Sequence, residues 1–205
     1  MQYLSQRLAA EPARAPEEDR PQGSLAAGQR ERILAATEGL VSERGAPATT
    51  IEAIVKGAGV SSATFYEHFR GKEECYVAAF ERAVGELRAA VPAGLSWPRD
   101  ARPALAALLA ALDAEPARAR LCFVEAQKGG PRLRAGYEEA LEAVAAELAD
   151  PLAEAIAGGL AWLVRERLEL GGGEGVQDLL PRMTEVVLAP YLGGGAAAPL
   201  ASADG

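Results

Sequence analysis

Ser61, Ser62, Thr64, Tyr66 and His68 fall within eight successive positions, and Lys72 follows four residues later. Each can form hydrogen bonds, and Glu67 is the only acid between Gly57 and Lys72. A surface of hydroxyl, phenol, imidazole and ammonium groups, nearly cleared of carboxylate, is what an approaching phosphate backbone requires. Short hydroxyls can also donate to or accept from base edges in the major groove of DNA. Other chemistry finds little support. The chain has one histidine, and its only cysteines, Cys75 and Cys122, form no C-x-x-C pair, so a structural zinc site is all but excluded. A Gly-rich phosphate loop, a G-x-S-x-G elbow and an H-E-x-x-H motif are missing, leaving no catalytic residue, metal or cofactor to assign.

These side chains need a scaffold. Ser61 can cap a short helix over Ser62–Glu67, with Phe65 and Phe69 four apart on one face. About 10 Å of helix is too short to be stable alone, so its neighbours must hold it, as they hold the recognition helix of a helix-turn-helix. Gly59 supplies the left-handed residue that the sharp turn before it needs. Thr49-Thr50-Ile51-Glu52 matches a capping box, with Thr49 as N-cap and Glu52 at N3. It opens a helix over about 50–56 that buries Ile51, Ile54 and Val55. A first helix from Gly28 carries Ile33, Leu34, Ala36, Leu40 and Val41 and ends at Arg44-Gly45. After Gly71, a long helix to about Ala90 places Tyr76, Phe80, Val84 and Leu87 inward, and Pro92 and Gly94 end it. Beyond it the pattern predicts helices at roughly 102–113, 116–128, 131–148, 151–170 and 176–191. Pro103, Pro116, Pro131 and Pro151 sit in or near first turns, and Pro181 should bend or delay the last helix. The fold class is therefore all-α.

The net charge of −8 is unevenly spread. Residues 1–27 carry 3 Lys/Arg against 4 Asp/Glu, residues 28–95 carry 8 against 9, and residues 96–205 carry 10 against 16. Phosphate binding needs a local basic face and amide donors, so the total argues only against non-specific coating of DNA. The longest apolar stretch, Ala155–Val164, is too short to span a bilayer, and a cytoplasmic location without a membrane partner is expected.

The string Arg32-Ile33-Leu34-Ala35-Ala36, Glu43-Arg44-Gly45, Thr49-Thr50, Ile54, Ala58-Gly59-Val60-Ser61, Thr64-Phe65-Tyr66-Glu67-His68-Phe69 and Lys72-Glu73 closely resembles the tetracycline-repressor (TetR) family of transcriptional regulators. The resemblance covers about residues 28–80, and the C-terminal half is only loosely similar. It implies three helices for DNA and a larger helical domain for dimerisation and ligand. Thr49, Thr50, Tyr66, His68 and Lys72 would then meet the phosphate backbone of double-stranded DNA, and Ser61, Ser62 and Thr64 would face the major groove. Val55 stands where such motifs commonly hold alanine, which would widen the helix crossing slightly. Gly71 stands where a side-chain N-cap is usual, weakening that cap by a few tenths of a kcal/mol.

The expected organisation is a mobile leader over 1–27, a helix-turn-helix domain over 28–75, a ligand-binding and dimerisation domain over 76–192, and a flexible tail over 193–205. Phe123, Glu125, Gln127, Tyr137 and Trp162 are candidates to line a pocket for a small molecule of unknown identity. Leu152, Ile156, Gly159, Leu160 and Leu163 form one apolar stripe, and Leu179, Met183, Val186, Val187 and Tyr191 another. Two such helices per subunit suit a four-helix homodimer interface on a palindromic operator, and an intramolecular core is the alternative. Cys122 reads as a small buried hydrophobe rather than a redox sensor. A repressor released by its ligand is the expectation; a ligand-independent regulator and a helical adaptor are the alternatives.

Overall fold

The computed structural model describes residues 22–148, 150–171 and 175–192. Most of the expected leader and the whole tail from 193 lie outside the described residues. Among the described residues every element is helical, and none is long and apolar enough to cross a membrane.

Helix α1 (Gln22–Arg44) starts six residues before the expected Gly28. No proline lies between Pro21 and Pro47, and the Ala/Leu-rich run from Leu25 favours helix. Residues 25–28 are exposed, while Ile33, Leu34 and Val41 are buried. Helix α2 (Ile51–Ala58) is capped by Thr50, whose side chain accepts from the Ala53 amide at 3.2 Å. The N-cap therefore sits one residue later than expected, which puts Ala53 rather than Glu52 at N3 and leaves no reciprocal capping box, and the Thr49 hydroxyl donates instead to the carbonyl of Gly45 at 2.9 Å. Gly59 (φ +62°) turns the chain into α3 (Ser62–His68). Ser61 caps α3, accepting from the Thr64 amide at 3.0 Å, and Phe65 and Phe69 anchor it in the core.

Helix α4 (Lys72–Ala90) begins at Gly71 without a side-chain cap. It buries Cys75, Tyr76, Ala79, Phe80, Ala83 and Leu87, so a single continuous core runs from the N-terminal helices into the C-terminal ones. Helices α5 (Ala101–Ala114) and α6 (Pro116–Arg120) follow. The expected straight helix to residue 128 is interrupted: Leu121–Glu125 forms a π turn before α7 (Ala126–Lys128). Helices α8 (Pro131–Leu148) and α9 (Ala153–Leu170) pack as neighbours. A 3-10 turn (Gln177–Leu179) leads into α10 (Leu180–Leu192), and Pro181 occupies its second position, where a missing amide costs little.

A buried ionic cluster joins α1, α4 and α6. The Glu38 carboxylate is 5 % exposed and receives Arg82 at 2.6 Å and Arg118 at 3.6 Å. Arg82 also pairs with Glu31, and Arg118 with Glu86 at 2.5 Å. Burial pushes the Glu38 carboxyl above its ordinary range, and the two arginines only partly offset it.

Candidate nucleic-acid interface

The α2–turn–α3 unit positions the polar series noted in the sequence. Ser62 and Tyr66 are exposed on α3, Tyr66 at 57 %. Thr50 is exposed at the start of α2, and its hydroxyl proton stays free because the cap uses the oxygen as acceptor. The Ser61 and Thr64 hydroxyls lie 2.9 Å apart and bond to one another, so each is partly committed to holding the first turn of α3. His68 is half-buried, and its Nε2 points inward without a partner among the described residues.

Thr49 departs from the expectation. It is fully buried, so its side chain cannot reach a phosphate. Its carbonyl instead receives Tyr76 Oη at 2.8 Å and Lys72 Nζ at 3.3 Å. Tyr76 Oη also lies 3.0 Å from the Ala46 carbonyl. Helix α4 thus grips the turn from which α2 starts, and Lys72 is held at the base of that turn with two ammonium protons to spare. Arg30 of α1 lies over the Phe69 ring, 5.4 Å from its centroid, and braces the end of α3. Sequence spacing carried no sign of the Tyr76 and Arg30 contacts, because both join residues about 30 or more apart.

The five expected pocket residues make different contacts. Gln127 accepts from Arg165 at 2.6 Å, donates to the Phe123 carbonyl at 3.3 Å and bonds with Tyr137. Glu125 is buried against the end of α1. Trp162 is half-exposed on α9, facing away from the core. Two open depressions lie elsewhere: one of about 580 Å³ between Arg70–Glu81 and Arg132–Glu139, and one of about 220 Å³ between α9 and α10. None of the five lines either.

The two apolar stripes divide. Ile156, Leu163, Leu179, Met183 and Val187 are buried in the chain's own core, as a stripe of helical width must be when a neighbouring helix covers it. Leu160 is half-buried against that core, and Tyr191 accepts from Trp97 Nε1 at 3.2 Å. Leu152, Trp162 and Val186 stay exposed, with Gly158 exposed and Gly159 half-buried between them on α9. The free apolar surface is thus narrower than the sequence suggested, and it includes Trp162.

A short, locally capped helix held across two others, its outer face polar and nearly free of acid, has the form of a helix-turn-helix unit. Residues 33–79, about a quarter of the chain, match the family described as "Bacterial regulatory proteins, tetR family", and this segment is the one that forms the helix-turn-helix. No curated protein sequence matches the chain. Among solved structures it is similar to the fatty acid degradation regulator FadR from Bacillus halodurans, with 19 % identity, a TM-score of 0.67, and 80 % of this chain and 96 % of that one covered. FadR from Bacillus subtilis, in complex with stearoyl-CoA, follows at 16 % identity and a TM-score of 0.64, covering 80 % and 98 %. SmeT, the repressor of the Stenotrophomonas maltophilia multidrug efflux pump SmeDEF, has 20 % identity and a TM-score of 0.59, covering 79 % and 89 %. At these identities the likenesses establish the fold.

Proposed function

We infer that the chain acts as a homodimer on a palindromic operator, reads it with α3, and is released when a small, largely apolar molecule binds its C-terminal helices. The observation that carries the reading is the polar outer face of α3, where Ser62 and Tyr66 stand exposed beside the Thr50 cap. Ser62, with what remains free of Ser61 and Thr64, meets base edges; Thr50, Tyr66, His68 and Lys72 meet phosphates. Two such faces one turn of duplex apart, roughly 34–36 Å, call for dimer symmetry. The surface proposed to supply it comprises the exposed Gly158 and Trp162 of α9, Leu152 at its N-cap and Val186 of α10.

Ligand control draws support from the neighbours: the Bacillus subtilis regulator holds stearoyl-CoA. Because Gln127 is bonded to Phe123 and Tyr137 here, a ligand must part these three to enter among them. Opening α6–α8 strains the α1–α4–α6 ionic cluster and tilts α4, changing the separation of the two α3 helices. A coupling of about 1–3 kcal/mol corresponds to a 5- to 150-fold loss of operator affinity.

Gel-shift titration with DNA from upstream of the chain's own gene, repeated with long-chain acyl-CoA as the probe ligand, tests both parts. A discrete shifted complex that acyl-CoA weakens is expected. No specific complex would refute operator binding. A complex that acyl-CoA and a panel of other apolar molecules all leave unchanged would favour ligand-independent regulation.

A further inference from the structure

One side chain joins the ends of two helices from different parts of the molecule. Arg120 closes α6 and donates from Nε to the Ser42 carbonyl at 3.3 Å and from Nη1 to the Leu168 carbonyl at 3.0 Å. Ser42 lies in the last turn of α1 and Leu168 in the last turn of α9. The final four carbonyls of a helix lack intrahelical partners and carry the negative end of its dipole, so one cation serves two helix ends at once.

The π turn supplies the other half of this contact. In an uninterrupted α-helix, residues five apart stand roughly 140° apart around the axis. The wider π turn, closed by the Ala126 amide on the Leu121 carbonyl, brings such a pair toward one side. Glu125, five residues after Arg120, is buried with an oxygen 3.9 Å from the guanidinium. Its other oxygen sits 3.2 Å from where a Cβ on Gly45 would lie, and Gly45 (φ +79°) is the left-handed residue just past α1. Arg120 therefore holds the end of α1, and Glu125 packs beside the residue just past it.

We propose that Arg120, braced by Glu125, is a positioning residue for operator recognition: it fixes the helix-turn-helix to the end of α9 and so sets the half-site spacing that the dimer accepts. This rests on the reading of α9 as a dimer helix. Helix α1 packs on α2, α3 and α4, so it carries the reading face with it. In a dimer joined through α9, the angle between α1 and α9 fixes the distance between the two α3 helices. A lysine cannot reach both carbonyls from one nitrogen in the planar fork geometry of a guanidinium.

The test uses the full chain and a palindrome that the wild type selects from randomised duplex DNA, together with versions one base pair longer or shorter between half-sites. The wild type should bind the altered spacings much more weakly than the selected one. In Arg120→Gln, Arg120→Lys and Glu125→Gln that penalty should shrink by on the order of tenfold, the worth of a charge-assisted hydrogen bond. Melting and sedimentation must show these variants folded and dimeric; should Arg120→Gln not fold, Arg120→Lys and Glu125→Gln carry the test. A wild type indifferent to spacing would overturn the dimer reading itself. Folded dimeric variants that keep the wild-type spacing penalty would overturn the proposal alone.

Discussion

The hydroxyl of Tyr76 shares its proton between the carbonyls of Thr49, at 2.8 Å, and Ala46, at 3.0 Å. Thr50, the N-cap of α2, follows Thr49 directly, so α4 holds the start of α2 through Tyr76 together with Lys72. Tyr76→Phe removes the hydroxyl donor from the Ala46 carbonyl and leaves the Thr49 carbonyl with Lys72 alone, and should cost about 1–3 kcal/mol. Urea unfolding measures it; a loss below about 0.5 kcal/mol would mean that the bond contributes nothing of note.

Glu38 should give stability a distinct pH dependence. Burial first, with Arg118 and Arg82 opposing, holds its folded-state pKa above the ordinary 4.5. A raised carboxylate pKa means a contribution fully present below 4.5 that is lost as the pH rises through the folded-state value. Unfolding of wild type and Glu38→Gln across a pH series should therefore show the wild type losing stability relative to the variant over that window. Parallel curves would contradict the assignment.

The ion-pair partner has the opposite character. Arg118→Ala strands a buried carboxylate beside a single remaining arginine, and breaking such a pair costs about 3–5 kcal/mol. Calorimetric melting should show a large fall in stability, and a change within about 0.5 kcal/mol would show that water already solvates Glu38.

Local chemistry was legible in the sequence, and tertiary choices were not. The Ser61 cap, the Gly59 turn and the Phe65–Phe69 pair act within a few residues, so spacing alone placed α3. Thr49 and Thr50 are both good caps, and only the backbone decides which points outward. The π turn inserts one residue into an otherwise unremarkable helical pattern, for a contact with α1 made some 80 residues upstream. An apolar stripe such as Ile156–Leu163 reads the same whether its partner is the same chain or a second copy, and burial assigned most of it to the same chain. Trp162 had helical spacing to suit a pocket, but its side chain faces out.

Both cysteines should be chemically quiet. Burial pushes the Cys75 thiol up to about 11 and the Cys122 thiol up to about 12, leaving roughly one thiolate in ten thousand or fewer at pH 7. A thiol reagent at neutral pH should label neither in the folded protein and both after unfolding. Fast labelling of Cys122 in native protein would reopen a sensing role.

Trp162, an apolar side chain half-exposed on α9, should anchor the dimer. Trp162→Arg places a charge in an apolar contact and should give a folded monomer in sedimentation at micromolar concentration, with operator binding greatly weakened. A variant that stays dimeric would move the interface elsewhere.

Titration of duplex DNA by fluorescence anisotropy across a salt series bears most directly on the helix-turn-helix as the reading element. DNA from upstream of the chain's own gene should bind about a thousandfold or more tighter than a scrambled duplex of the same composition. Ser62→Ala should change which operator variants are tolerated, while Lys72→Ala should weaken all sequences alike and lower the log–log salt slope by about 0.9. Equal affinity for operator and scrambled DNA, or a slope that Lys72→Ala leaves intact, would contradict α3 as the reading helix or Lys72 as a phosphate contact respectively.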